Sequence, residues 1–501
     1  MGKKTGCLRD PPPLRGSQPP KDKYNAAYII LFILGAGFLL PWNGFLSAVD
    51  YFTGLYPDVN IESLFSAVYM PSLLVCVVIT IFVGQKIPIV VRIVGGYALL
   101  LVIVLITMFI QEEVTQLVLV LLMGFGDAIV QGTLYGLAGQ LPPAYTGGLM
   151  TGIGAAGIIT ALIRIITKLI IPDARTSFLL YFGVGALVLV LCIILFFVFQ
   201  RLPIVRYYRS DQDGRVEDEE EGTNGRKRGK EMGEQGGEEE EEEVAYNEYK
   251  SPAAAEKVVL AVSDSAGNGQ GGEDEFGMEE KKGFKHTLFK YLKRVGTVFW
   301  VVKVPFILVF ITFTITISLF PGLTSVIKPQ NSTVFVGDDA SWFPVILVAA
   351  FQVFDFIGRM ITKLPILTNY VVFPPSERHG YAYASLFGLS RVVFVPIFIF
   401  FVHPRLIVGD VAAIATVSAF ALSNGYIGSV TMMMGPEILC RAIETNVGNL
   451  KTKLEGMNTP ALRELAGTVM GFGLMSGLTA GAICGAAIVP AVLGNTTAAG
   501  E

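Results

Sequence analysis

The sequence predicts an all-α polytopic membrane protein with about eleven transmembrane helices in a six-plus-five arrangement. Three observations predict it. Of 501 residues, 52% are hydrophobic and only 16% are charged, where a soluble domain carries about a quarter charged residues. Apolar stretches of about twenty residues recur along the chain, each long enough to cross about 30 Å of hydrocarbon. One long polar insert divides six such stretches from five. Backbone groups in lipid must be satisfied within their own segment, so the stretches read as helices. The 55 glycines fit helices that approach one another closely.

In chain order, residues 1–24 form a polar, Pro-rich tail without the apolar core of a cleaved signal peptide. Spans near 26–50, 63–83, 88–110, 115–140, 147–171 and 177–200 make a first bundle, 25–200. Spans near 299–322, 341–364, 381–402, 410–434 and 465–490 make a second, 299–494, with a short tail at 495–501. Between them, residues 201–298 contain DEEEGTNGRKRGKEMGEQGGEEEEEEV and few bulky apolar side chains. Such a composition cannot bury enough surface to offset chain entropy, so this acidic segment is expected to be a disordered tether.

Lys and Arg in short flanking segments set orientation. Lys3, Lys4, Arg9, Arg15, Lys21 and Lys23 precede the first span, and Lys86 and Arg92 lie between the second and third. Arg201, Arg206 and Arg209 follow the sixth, and Arg441, Lys451, Lys453 and Arg463 separate the last two. With eleven spans all of these fall on one side, whereas DYFTGLYPDVNIES and QEEVTQ on the other contain neither Lys nor Arg. The N-terminus and insert are therefore expected in the cytoplasm and the C-terminus outside. Sequons at Asn331 and Asn495 fall on the outer side and are candidate glycosylation sites.

An ionisable residue inside a span is costly and is a functional candidate by default. In FQVFDFIGRM, Asp355 and Arg359 are four apart, on one helix face in the favourable acid-first order. A carboxylate beside a guanidinium fork offers the mixed acceptor and donor surface that a sugar diol requires. The competing reading is an ion pair that only fixes helix packing. In GFGDAIVQGTLYG, Asp127 and Gln131 share a face. Gln131 can both donate to and accept from the edge of a base, or it can tie two helices together. Asp127 must be paired, hydrated or protonated, with Arg164 a candidate partner, and is a candidate for proton coupling. Arg391, Arg164 and Arg92 are candidates for gating or structural pairing. Pro41 interrupts the first span beside Trp42. No P-loop, HExxH or GxSxG motif is present. The expectation is therefore no enzyme, no cofactor, no metal and no nucleic-acid partner.

Several segments resemble the equilibrative nucleoside transporter family. They are Leu40-Pro41-Trp42-Asn43, QKIPIVVRIVGG at 85–96, QGTLYGLAGQLPPAYT at 131–146, RLPIVRYY at 201–208 and FTITISLFPG at 313–322. The second half adds FDFIGR at 354–359, LSRVVFVPIF at 389–398 and ALSNGYIGSVTMMMGP at 421–436. The resemblance implies a fold similar to the major facilitator superfamily, with two bundles rocking about a central site. It implies that Asp355 and Arg359 engage a ribose and that Gln131 meets the base. It places Trp42, Leu46, Met70 and Phe313 along the apolar part, with Gln352 nearby. Asp127 stands where animal members carry glycine, and Val348 where they carry an aromatic. The acidic insert and the connection at 437–464 look more like protozoan members, some of them proton-coupled and some nucleobase carriers. The resulting expectation is a carrier of nucleosides, purine nucleosides foremost, across the plasma membrane by alternating access, with proton symport through Asp127. A purine nucleobase carrier, and a polytopic receptor or channel, are the alternatives.

Overall fold

The computed structural model describes residues 20–48, 51–52, 55–56, 61–84, 87–171, 173–210, 273–329, 342–364, 385–454 and 457–498. Residues 1–211 with 294–501 form one compact unit, and 212–293 form another. In the second unit, the residues described are the helical stretch 273–293. The expected tether therefore lies mostly outside the described residues, as does Asn331. Asn495 falls in the last turns of the final helix.

Six helices form the first half: α1 (Ala26–Ser47), α2 (Ile61–Val83), α3 (Ile89–Phe109), α4 (Glu113–Gln140), α5 (Pro143–Ile170) and α6 (Ala174–Arg201). The second half comprises α7 (Glu273–Leu319), α8 (Trp342–Ile361), α9 (Ser385–Val402), α10 (Asp410–Glu444) and α11 (Thr459–Ala498). Ten of these contain a stretch long and apolar enough to cross a membrane. The remaining one, α8, has 20 residues, about 30 Å of helix, and carries Asp355 and Arg359. The start of α1 is capped by Asp22, whose carboxylate accepts the Ala27 N–H at 3.2 Å and the Tyr28 N–H at 3.4 Å. Asp173 caps α6 by accepting the Thr176 N–H at 2.7 Å. The Thr176 hydroxyl and backbone hold that carboxyl below its usual range.

Glycines decide which helices touch. A methyl group on Gly152 of α5 would collide with the Phe32 carbonyl of α1, and one on Gly35 of α1 would lie 2.5 Å from the Leu149 carbonyl. In the second half, Gly473, Gly477 and Gly481 recur every four residues along α11 and seat α7. A Cβ on Gly477 would lie 2.6 Å from the Phe310 carbonyl, and one on Gly481 would lie 2.7 Å from that of Thr314. Thr314 and Ser318 hydroxyls donate across this seam to the Gly477 and Gly481 carbonyls, each at 3.3 Å. Without a hydrophobic driving force between helices in lipid, such close packing and hydrogen bonding hold them together. The outer faces stay apolar and open, as at Leu187 (71% exposed), Ile194 and Phe197 of α6.

Several helices run past the spans expected from hydropathy. α7 begins well before residue 299, α10 continues through Pro436 to Glu444, and α11 extends from Thr459 to Ala498. Much of the connection expected at 437–464 is thus helical. Glu437 and Arg441, four apart, pair at 3.3 Å. The helical repeat persists where apolarity stops, because hydropathy marks the edge of hydrocarbon and not the end of a helix.

The glycine seams can be tested by melting the detergent-solubilised protein. Gly152→Ala should lower the melting temperature, since overpacking costs about 1–3 kcal/mol. Gly95→Ala, at a position with no atom within 4 Å, should be neutral or stabilising by up to about 1 kcal/mol. Equal effects of the two would refute the account.

Candidate functional site

The two halves meet along α5, α4 and α2 on one side and α8, α10 and α11 on the other. At the centre, Asp355 Oδ2 accepts from Arg359 Nε at 2.8 Å, with both residues buried, 4% and 5% exposed. The i,i+4 spacing sets the pair on one face of α8, and tertiary contacts complete it. Arg359 Nη1 donates across the interface to the Met150 carbonyl of α5 at 3.2 Å. Asn424 Nδ2 of α10 donates to Asp355 Oδ1 at 2.6 Å. Close backbone approach makes this reach possible: a side chain on Gly425 would strike the Asp355 carbonyl, and one on Gly358 the Leu422 carbonyl. On α5, Gly154 lies against the Arg359 side chain and Gly157 against the Gln352 amide. Phe313 of α7 packs against Gly428, 3.2 Å from where a methyl group would stand.

Across the interface, Gln131 Nε2 donates to the Tyr135 hydroxyl at 3.3 Å, and a methyl group on Gly471 of α11 would lie 2.9 Å from the Tyr135 ring. Trp42 lies flat on Tyr69, ring centres 3.8 Å apart with planes 3° apart. The Tyr69 hydroxyl donates to Asp127 Oδ2 at 2.5 Å. Asp127 is fully buried, and its Oδ1 has no hydrogen-bond partner among the described residues. Arg164 does not fill the role considered for it beside Asp127: its Nη1 donates to the Ser177 hydroxyl at 3.3 Å. Leu46 and Met70 are half-buried on α1 and α2, and the Met70 carbonyl accepts from Thr479 of α11 at 3.3 Å.

Arg92 closes the basic end of the interface. Its Nη2 is 2.9 Å from Glu464 Oε1 of α11, while Gln140 Nε2 of α4 donates to Glu464 Oε2 at 2.8 Å. Gly136 makes room, since a methyl group there would lie 2.8 Å from Glu464 Cγ. On the same side, Lys363 at the end of α8 rests 4.3 Å above the Tyr28 ring of α1. Arg391 is a member of the second half's core. It donates to the Phe420 carbonyl at 2.9 Å, to the Ser423 hydroxyl and, at 2.7 Å, to the Thr316 hydroxyl.

Residues 117–454 match the family model described as nucleoside transporter. The chain belongs to the nucleoside transporter family. It is a family of membrane transporters and not of enzymes, and its members move nucleosides across membranes. The chain is 30% identical to equilibrative nucleoside transporter 4 of Homo sapiens, over 92% of this chain and 82% of that protein. It is 28% identical to equilibrative nucleotide transporter 1 of Arabidopsis thaliana, over 87% and 84% of the two chains. It is also 28% identical to equilibrative nucleoside transporter 1 of Homo sapiens, over 93% and 97%. Among solved structures, it is similar to a major facilitator superfamily proton:xylose symporter. That similarity has a TM-score of 0.46 and 10% identity, and covers 91% of this chain and 87% of that one.

Sequence reasoning did not single out Tyr69, Tyr135, Asn424 or Glu464. Asn424 and Tyr135 lay in plain view inside the quoted motifs, and a polar Asn within an apolar span was a usable signal. Glu464 sits just before an apolar run, where an acid reads as a solvated helix start. Only its placement beside Arg92 gives it another role.

The Arg92–Glu464 link can be tested by charge exchange. Removing one partner of a buried pair costs about 3–5 kcal/mol, so Arg92→Ala and Glu464→Ala should each disable uptake. Arg92→Glu combined with Glu464→Arg should recover part of it. Uptake by the exchanged protein no better than by either charge-reversed single variant would refute the link.

Proposed function

We infer that this protein carries purine nucleosides across the plasma membrane by alternating access, with its Lys- and Arg-rich side in the cytoplasm. One observation carries this reading: the buried Asp355–Arg359 pair holds to the opposite half through a single carbonyl, that of Met150. Rocking of the halves would break that bond. A buried donor left unpaired is costly, so a ribose hydroxyl that takes the place of the carbonyl stabilises the moved state. A ligand shifts a conformational equilibrium only through such differential contacts. Gln131 faces the base edge, with Trp42, Leu46, Met70, Phe313 and Gln352 completing the wall. The Arg92–Glu464–Gln140 cluster closes the cytoplasmic end and opens in the alternate state. The reading is supported by family membership and by the contacts between the halves at Arg359 with Met150, Gln352 with Gly157 and Arg92 with Glu464.

Asp127 favours a second element, coupling to protons. Its carboxyl is sealed from water, one oxygen on Tyr69 and the other unpartnered. A carboxyl that gains or loses a proton there would alter its grip on Tyr69 and hence the ring that lies on Trp42.

Four measurements test this. Asp355→Ala and Arg359→Ala should abolish uptake while the protein still reaches the membrane, with a loss of about 3–5 kcal/mol. Normal transport by either would remove the pair from the site. Gln131→Ala should weaken substrates by about 1–3 kcal/mol, unequally for purines and pyrimidines; an equal loss assigns Gln131 to holding Tyr135. A panel of nucleosides and nucleobases decides between the two substrate classes. Asp127→Asn should make uptake insensitive to an imposed proton gradient while exchange persists. A wild-type protein indifferent to that gradient would leave Asp127 solely as the anchor of Tyr69.

A further inference from the structure

Behind Asp355 lies a chain of polar side chains that the reading above does not use. Arg391 Nη2 donates to Thr316 Oγ1 at 2.7 Å. The Thr316 hydroxyl has one hydrogen, shared between Asn424 Oδ1 and the Thr312 carbonyl, both at 2.7 Å. Asn424 Nδ2 donates to Asp355 Oδ1 at 2.6 Å. Every donor points toward Asp355, from guanidinium to hydroxyl to amide to carboxylate. All four residues are buried, Asn424 and Thr316 to 2% exposure. They come from α9, α7, α10 and α8, so the chain ties four of the five helices of this half to a single carboxylate.

The amide suits its place. Turned over, it would set its oxygen against the carboxylate, two acceptors facing each other, and lose that bond. Asparagine is also one of the few side chains that can accept at one end and donate at the other. Within a low-dielectric interior, hydrogen bonds in series polarise one another. The positive potential of Arg391 is thereby delivered at Asp355 Oδ1, while Arg359 occupies Oδ2 at 2.8 Å. The carboxylate is thus held at both of its oxygens.

We propose that Asn424, aligned by Thr316 and Arg391, is a positioning residue that fixes the Asp355 carboxylate in the orientation required to receive the vicinal hydroxyls of a ribose. The proposal rests on the reading that Asp355 binds the sugar. Asn424 itself acts through Asp355 and touches no substrate. Its removal therefore harms recognition of a diol selectively, whereas a residue that merely packs α8 against α10 affects all substrates alike.

The test compares a ribonucleoside with its 2′,3′-dideoxy analogue, using uptake KM in proteoliposomes and ligand-induced thermal stabilisation of purified full-length protein. The second readout does not need turnover. Asn424→Ala should raise the ribonucleoside KM by about tenfold or more, the loss of one hydrogen bond to a charged group. The dideoxy analogue should change by no more than about twofold, within ordinary context effects on such a contact. Thr316→Val, close in shape but without the hydroxyl, should shift selectivity in the same direction. Thr316→Ser should retain the wild-type preference. Equal losses for both ligands, or Thr316→Val indistinguishable from Thr316→Ser, would overturn the proposal. Asp355→Ala separates the two levels. If it erases the ribose preference in thermal stabilisation while Asn424→Ala does not, the sugar reading stands and Asn424 is only structural. If Asp355→Ala keeps the preference, the sugar reading itself falls.

Discussion

The Asp355–Arg359 pair sets the terms for the structure around it. Two opposite charges removed from water attract strongly but lose hydration worth several kcal/mol each, so every remaining lone pair and N–H must find a partner. The partners come from other helices: the Asn424 amide from α10 and the Met150 carbonyl from α5. Neither can reach unless backbones nearly touch. Gly425 and Gly358 remove the Cβ atoms that would hold α8 and α10 apart, and Gly154 leaves room on α5 for the arginine. The glycines are thus placed by the electrostatics of the pair as much as by general packing.

Close backbone approach at glycine occurs both within the halves and between them. Within a half it brings Gly152 to Phe32 and Gly477 to Phe310; between halves it brings Gly467 of α11 to the Tyr135 carbonyl and Gly139 of α4 to the Arg463 carbonyl. Between halves, the prominent polar links are single side chains: Arg92 to Glu464, Gln140 to Glu464, Arg359 to a carbonyl, Lys363 over Tyr28. Such side-chain bonds can be broken and replaced by water.

The first half contributes a different surface. Tyr135 lies against Gly471 of α11, while Trp42 lies flat on Tyr69, whose hydroxyl donates to the buried Asp127.

Much of this was legible in the order of residues. Apolar stretches of membrane-spanning length specify helices because lipid leaves a backbone no other way to satisfy its hydrogen bonds. The i,i+4 spacing specifies that Asp355 and Arg359 share a face, because both lie on one local helix. Charge and apolarity likewise marked Asp127, Gln131 and Arg391 as exceptional. What the order of residues did not determine was partnership across helices. Asp127 finds Tyr69, 58 residues away, and not Arg164; Arg92 finds Glu464, 372 residues on. Nor could hydropathy show that α10 continues past Pro436, since the helical repeat outlasts the hydrocarbon. Local periodicity records which face of a helix a residue occupies, while the identity of the facing helix depends on how all eleven pack. Only the tertiary structure, by fitting glycine notches to neighbouring backbones, decided that.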